Sequence, residues 1–217
     1  DVIPGTDVVM VQRADSCGAS VAGNWQTTNA NVQVHHPNQC GFSQQQVLMA
    51  TDCRTADVFA IVNNPSTGGG LQTLTHSNFL SDNYGPDSQI HTFRSNLFFI
   101  APGESGMPAL YMAKWDPTNP SGFDILELAE GVQDMQILYG VDDAGGDEYA
   151  DDYVTANNVT DWAEVRSARV NFLIQSEDNI TSKTRDFTFN GQNANTGNDR
   201  RLRMVFSTTI SLRNRLQ

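Results

Sequence analysis

The chain has 217 residues, 39 % of them hydrophobic and only 18 % charged, with a formal net charge of −12. That apolar fraction is enough for a packed core and excludes wholesale disorder. The negative charge excludes general nucleic-acid binding, because a surface of this sign repels a polyanion.

The charge is unevenly placed. Residues 1–160 hold 19 acids and 4 bases, whereas residues 161–217 hold 6 acids and 9 bases. Only the C-terminal part offers a basic face, and solvated strand faces are the simpler account of its arginines. Gly, Asn, Thr, Ser and Gln make up much of the rest, a composition that favours strands joined by polar turns.

Taken in chain order, residues 8–11 are a short apolar run that predicts a buried strand, followed by a polar loop through Cys17 and Asn24 to Asn31. Residues 31–35 alternate like a strand. Residues 47–50 and 58–62 are the next two, with 52–57 as their link. Residues 63–92 carry Asn64-Pro65, Gly68-Gly69-Gly70 and Gly85-Pro86, which predicts irregular structure. Residues 94–100, 107–115 and 123–128 read as a three-stranded meander around the turns 102–106 and 116–120. Residues 132–141 read mainly as strand, although positions 132, 135, 138 and 139 also fit a helical face. One helical turn is expected at 159–162, then strands at 165–175 and 185–190. The last strand is the clearest: Met204, Phe206, Ile210 and Leu212 share one face, with Ser207, Thr209 and Ser211 opposite. No long amphipathic helix, repeat or domain boundary is evident, so residues 1–217 are read as a single domain.

Few patterns carry chemistry. Gly103-Glu104-Ser105-Gly106 is one residue short of a nucleophile elbow and no helix follows it, so a hairpin turn is expected. His35 and His36 point to opposite faces of a strand and cannot chelate one ion. His76 and His91 are isolated. No pairing of His with acids suits a hydrolase, so no enzymatic activity is expected. The strongest cluster is acidic: Asp142, Asp143, Asp147, Glu148, Asp151 and Asp152, with Gly145 and Gly146 between them. A hard cation such as Ca2+ would neutralise it, held by Asp142, Asp143, Asp147 and Asp151, although the spacing is not that of an EF-hand. A plain solvated loop is the simpler reading, and no other cofactor is expected. Trp25, Trp115 and Trp162 are read as core packing, with surface anchors as the alternative.

Cys17, Cys40 and Cys53 lie close together in the first quarter, which suggests a disulfide. The odd count leaves one thiol free or paired outside the chain. The sequence opens at Asp1 with no signal peptide or transmembrane segment. The expectation is an exported protein from which an N-terminal stretch, carrying the missing cysteine, has been removed.

Four blocks spread over the chain then resemble one family. They are Gly5-Thr6-Asp7-Val8-Val9, residues 52–59 around Asp52-Cys53-Arg54, residues 128–142 with Glu130-Gly131-Val132-Gln133-Asp134, and the closing residues 201–215. In order, they look like the soluble domain of PilW-type minor pilins of type IV pili. The resemblance implies a β-rich α+β fold, a pilin-like ectodomain of antiparallel sheets whose long apolar N-terminal helix is absent here. It implies a Cys40–Cys53 bridge, with Cys17 paired to an upstream cysteine. It further implies a structural role among other minor pilins and the major pilin, in a priming or tip complex, with a PilY-type tip adhesin as a further partner. Residence in the inner membrane with a periplasmic domain, and later in the pilus tip, follows, with the membrane met only through the helix. An adhesin-like tip domain and a type II secretion pseudopilin are the alternatives.

Overall fold

The computed structural model describes residues 1–76, 78–116, 119–143, 146, 147, 149–197 and 199–212. Its strands are β1 (Val9–Gly23), β2 (Asn31–His35), β3 (Val47–Thr51), β4 (Ala56–Ala60), β5 (Ser66–Gly68), β6 (Leu71–Thr75), β7 (Gln89–Pro102), β8 (Pro108–Trp115), β9 (Phe123–Glu130), β10 (Val132–Val141), β11 (Asp152–Val154), β12 (Val165–Gln175), β13 (Asp186–Phe189), β14 (Gln192–Asn195) and β15 (Arg203–Ser211). Short 3-10 turns occupy Ala156–Asn158 and Trp162–Glu164. Among the described residues there is no α-helix, and no helix long and apolar enough to cross a membrane.

The expected α+β class is therefore corrected to all-β, while its antiparallel sheets are found. Residues 132–141, the one stretch that also fits a helix, become β10 because they pair along one edge with β12 and, over Tyr139–Val141, along the other with β11. Sheet hydrogen bonding there outweighs a helical periodicity that offers no second apolar surface to pack on.

The chain forms two compact units. One comprises Asp1–Val9, Leu97–Met112 and Ile125–Gln217; the other comprises Met10–Asn96 and Ala113–Asp124. Neither is a continuous stretch, so no shift in composition marks where one gives way to the other.

In the Met10–Asn96 unit the strands run in the order β4-β3-β7-β1-β2-β6-β5. Side chains alternate across a strand, and here one side is fully buried: Val32 and Val34 from β2, Leu48 and Ala50 from β3, Leu74 from β6 and Ile90 from β7. Tyr84 completes this core and donates its hydroxyl to Asp57 Oδ2 at 2.9 Å. Residues 63–92, expected to be irregular, contain a hairpin. Gly68 pairs with Leu71, and Gly69 and Gly70 at φ of 60° and 79° make the two-residue turn. Both positions need a positive φ, which is why glycine occupies them.

In the other unit the sheet order is β11-β10-β12-β15, with β13 and β14 as a separate hairpin. β8 pairs with β7 and β9, the expected meander. Its 102–106 turn closes through Gly106 N to Gly103 O at 2.9 Å, and Ser105 Oγ accepts from Met107 N. Ser105 is thus a turn residue.

Candidate interaction surface

The sheet β10-β12-β15 is built from pairs in register. Met135 faces Phe172 and Phe172 faces Phe206; Ile137 faces Val170 and Val170 faces Thr208. Ile174 lies opposite Met204, and Ala168 opposite Ile210. Because side chains alternate, these residues fall on one side of the sheet.

That side is covered over β10 and the neighbouring part of β12. Ile3, Val9, Ile100 and Leu110 pack with Val132, Met135, Val170 and Phe172. The opening segment is held there by hydrogen bonds: Asp7 N donates to Met135 O at 2.8 Å, Ile137 N donates to Asp7 Oδ2 at 2.8 Å, and Gln136 Nε2 donates to Gly5 O at 2.7 Å. The cover does not extend over β15. Met204, Phe206 and Ile210 are 64 %, 57 % and 54 % exposed, and Ile174 beside them is exposed as well. The Phe172 and Phe206 rings lie 6.5 Å apart across the pair, so half-covered and open residues form one continuous apolar strip.

The opposite side of the same sheet is mixed: Val165 and Leu173 are buried there, Val205 is exposed, and its polar side chains are hydrogen-bonded. Ser207 Oγ donates to Asn171 Oδ1 at 2.6 Å, and Asn171 Nδ2 donates to Asn190 Oδ1 at 2.7 Å. Arg203 donates to Gln133, Gln175 and Asp199. The sequence alternation in β15 is therefore found, with the apolar face turned to solvent.

The predicted metal ligands do not converge. Asp142 is buried with its carboxylate paired to Arg166 Nε at 3.2 Å, and its Oδ1 accepts from Gly146 N at 3.0 Å. Asp151 Oδ2 accepts from Asp143 N, and Asp147 Oδ1 from Tyr149 N. Glu148, Gly145 and Ala144 lie outside the described residues, as do Pro117, Thr118 and the closing Arg213, Asn214 and Arg215. Among the described residues no three His, Cys, Asp or Glu side chains come together to hold a metal. Asp142 is committed to the Arg166 guanidinium, and Asp147 and Asp151 each accept a backbone amide within the loop.

The disulfide also differs from the expected pairing. Cys17 on β1 is joined to Cys40, and Cys53, expected to bridge Cys40, is an exposed free thiol. Antiparallel pairing of β1 with β2 brings the Cys17 strand alongside the loop that carries Cys40. Trp25, Trp115 and Trp162, read as core residues, are all more than a third exposed.

A model of the type IV pilus-assembly protein W family, PilW, matches residues 97–214. That is more than half of the chain and contains the whole of the apolar-faced sheet. The chain belongs to the PilW family. Its broad role follows: it takes part in type IV pilus assembly. Neither a curated protein nor a solved structure matches it. Within this PilW-family chain the matched region holds the exposed strip, whereas residues 10–96, with the disulfide, lie ahead of it.

Proposed function

We propose that the chain is the β-domain of a minor pilin that joins other minor pilins in the complex priming type IV pilus assembly and remains near the pilus tip. The observation that carries this is the open apolar strip on β12 and β15. A nine-residue edge strand with no charge after Arg203 and no proline is an association hazard unless a partner covers it. Covering Met204, Phe206 and Ile210 would contribute on the order of 1.5–3 kcal/mol each.

The dimensions suit an apolar helix. Two strands span about 10 Å, close to the diameter of one α-helix, and Met204 to Ile210 runs about 20 Å. The major pilin and the other minor pilins are the partners this reading names, with a PilY-type tip adhesin beyond them. The Cys17–Cys40 bridge is consistent with an oxidising compartment such as the periplasm, where the domain would sit before it enters the fibre.

The test is co-purification of this domain with the other minor pilins, singly and in combination. Wild type is expected to be retained. The double variant Met204→Glu with Phe206→Glu is expected to lose retention while keeping its fold by circular dichroism. Retention by none of the combinations, or equal retention of the double variant, contradicts the reading.

A further inference from the structure

A second feature lies outside the apolar sheet face and does not depend on the pilin reading. In the unit made of Met10–Asn96 and Ala113–Asp124, a cavity of about 500 Å³ opens beside β7, lined from the starts of β1 and β3 and the end of β8. Its size is that of a small-ligand site. Trp115, Phe123 and Phe93 line it together with Gln12, Arg94 and Lys114.

Trp115 is an open but fixed platform. It is 45 % exposed, and Phe123 meets it edge to face with ring centroids 5.4 Å apart. A Cβ on Gly122 would come within 3.0 Å of the indole, so the ring rests against a bare turn. That turn is closed by Asp116 N to Gly122 O at 3.1 Å and Gly122 N to Asn119 O at 2.8 Å, with Gly122 at φ +75°. Only glycine accepts both the conformation and the approach of the ring.

Bases are concentrated at this cavity. Residues 1–160 contain four bases, and two of them, Arg94 and Lys114, line it beside one acid, Asp116. Arg94 is oriented through Nε by Asp15 Oδ2 at 3.2 Å. Lys114 forms no ion pair among the described residues. A polyanion would be repelled by the surrounding acids. A small ligand with one carboxylate and one apolar face would not.

A pyranose ring has that form. Its axial C–H bonds make a flat, weakly positive face that complements the negative face of an indole, and its hydroxyls suit an amide such as Gln12. We infer that this cavity binds a carboxylate-bearing sugar ring, stacked on Trp115 with its acid group on Lys114 and Arg94.

The experiment is titration of the intact chain with D-glucuronate, N-acetylneuraminate, D-glucose and a short acidic peptide, followed by calorimetry and by the Trp115 indole resonance. One or both acidic sugars are expected to bind about fivefold tighter than glucose, the effect of one partly exposed ion pair, and to weaken with added salt. The two acidic sugars separate a uronic acid from a sialic acid as the source. Trp115→Ala should lower affinity about tenfold, Trp115→Phe should restore part of it, and Lys114→Gln should erase the preference for the acid. Circular dichroism and the thermal midpoint confirm that each variant is folded. Equal binding of glucose and the acids, unchanged affinity in Trp115→Ala, or binding of the peptide while both acids fail would each overturn the inference.

Discussion

Asp142 and Arg166 illustrate how much a single pair decides. The Asp142 side chain is wholly buried and that of Arg166 is nearly so. Removing the Asp142 charge takes the buried partner from a guanidinium that Glu164 also holds at 2.9 Å, and breaking a buried pair typically costs several kcal/mol. Asp142→Asn is expected to destabilise the chain by about 3 kcal/mol, read from the urea midpoint. Adding CaCl2 to wild type is expected to leave its thermal midpoint unchanged; a rise would restore the calcium reading. The sequence displays the acids as a run, but it cannot say that the first of them turns inward. Arg166, 24 positions away, supplies the reason, and no spacing rule connects the two.

Asp57 supplies the pH dependence at the same scale. Burial pushes its carboxyl up, but hydrogen bonds from Ser81 N at 2.6 Å, Ser81 Oγ at 2.8 Å and Tyr84 outweigh this and hold it below the usual carboxylate range. A carboxyl with a depressed folded pKa stabilises the fold above its unfolded pKa, and that contribution is lost as pH falls through the folded value. Wild type should therefore lose more stability below about pH 4 than Asp57→Asn does. Parallel acid limbs in the two unfolding profiles would show that Asp57 makes no such contribution.

Among the elements, β15 was the most legible strand, and its orientation was the least. Period-two alternation says which residues share a face but not which face has cover. The cover comes from Ile3, Val9, Ile100 and Leu110, distant in sequence, and it stops short of Met204, Phe206 and Ile210. The β5–β6 hairpin was missed because buried Gln72 interrupts the apolar alternation with Leu74, although Gly69-Gly70 is itself a hairpin signal. Asn190-Gly191, between paired Phe189 and Gln192, turns β13 into β14 in the same way. The middle of β1 predicts a loop because polar residues there break the apolar pattern, and pairing with its neighbours makes it strand.

The disulfide is an element-scale constraint, since it ties β1 to the loop after β2 across 23 residues. Closing a loop of that length restricts the unfolded chain and stabilises the fold by about 3 kcal/mol. The variant with both Cys17→Ser and Cys40→Ser is expected to lose about that amount in urea unfolding, and Cys53→Ser to stay within about 0.5 kcal/mol of wild type. The reverse order of effects would favour the Cys40–Cys53 pairing. Sequence alone leaves three pairings open for three cysteines, and only strand topology chooses among them.

For the whole molecule, the two units divide the roles. The PilW match spans the sheet with the open strip, and residues 10–96 add a separate core, a disulfide and much of the lining of the Trp115 cavity. Family membership is legible in the sequence, and the blocks at 128–142 and 201–215 fall within or at the edge of the matched region while those at 5–9 and 52–59 lie outside it; the α+β class they imply gives way to all-β, with no α-helix among the described residues. The account rests on the strip being an interface. Amide hydrogen exchange of this domain, alone and mixed with the other minor pilins, tests it most directly. Slowed exchange across Arg203–Ser211, with β2 amides unchanged, is the result the account predicts; unaltered exchange along β15 in a formed complex would contradict it.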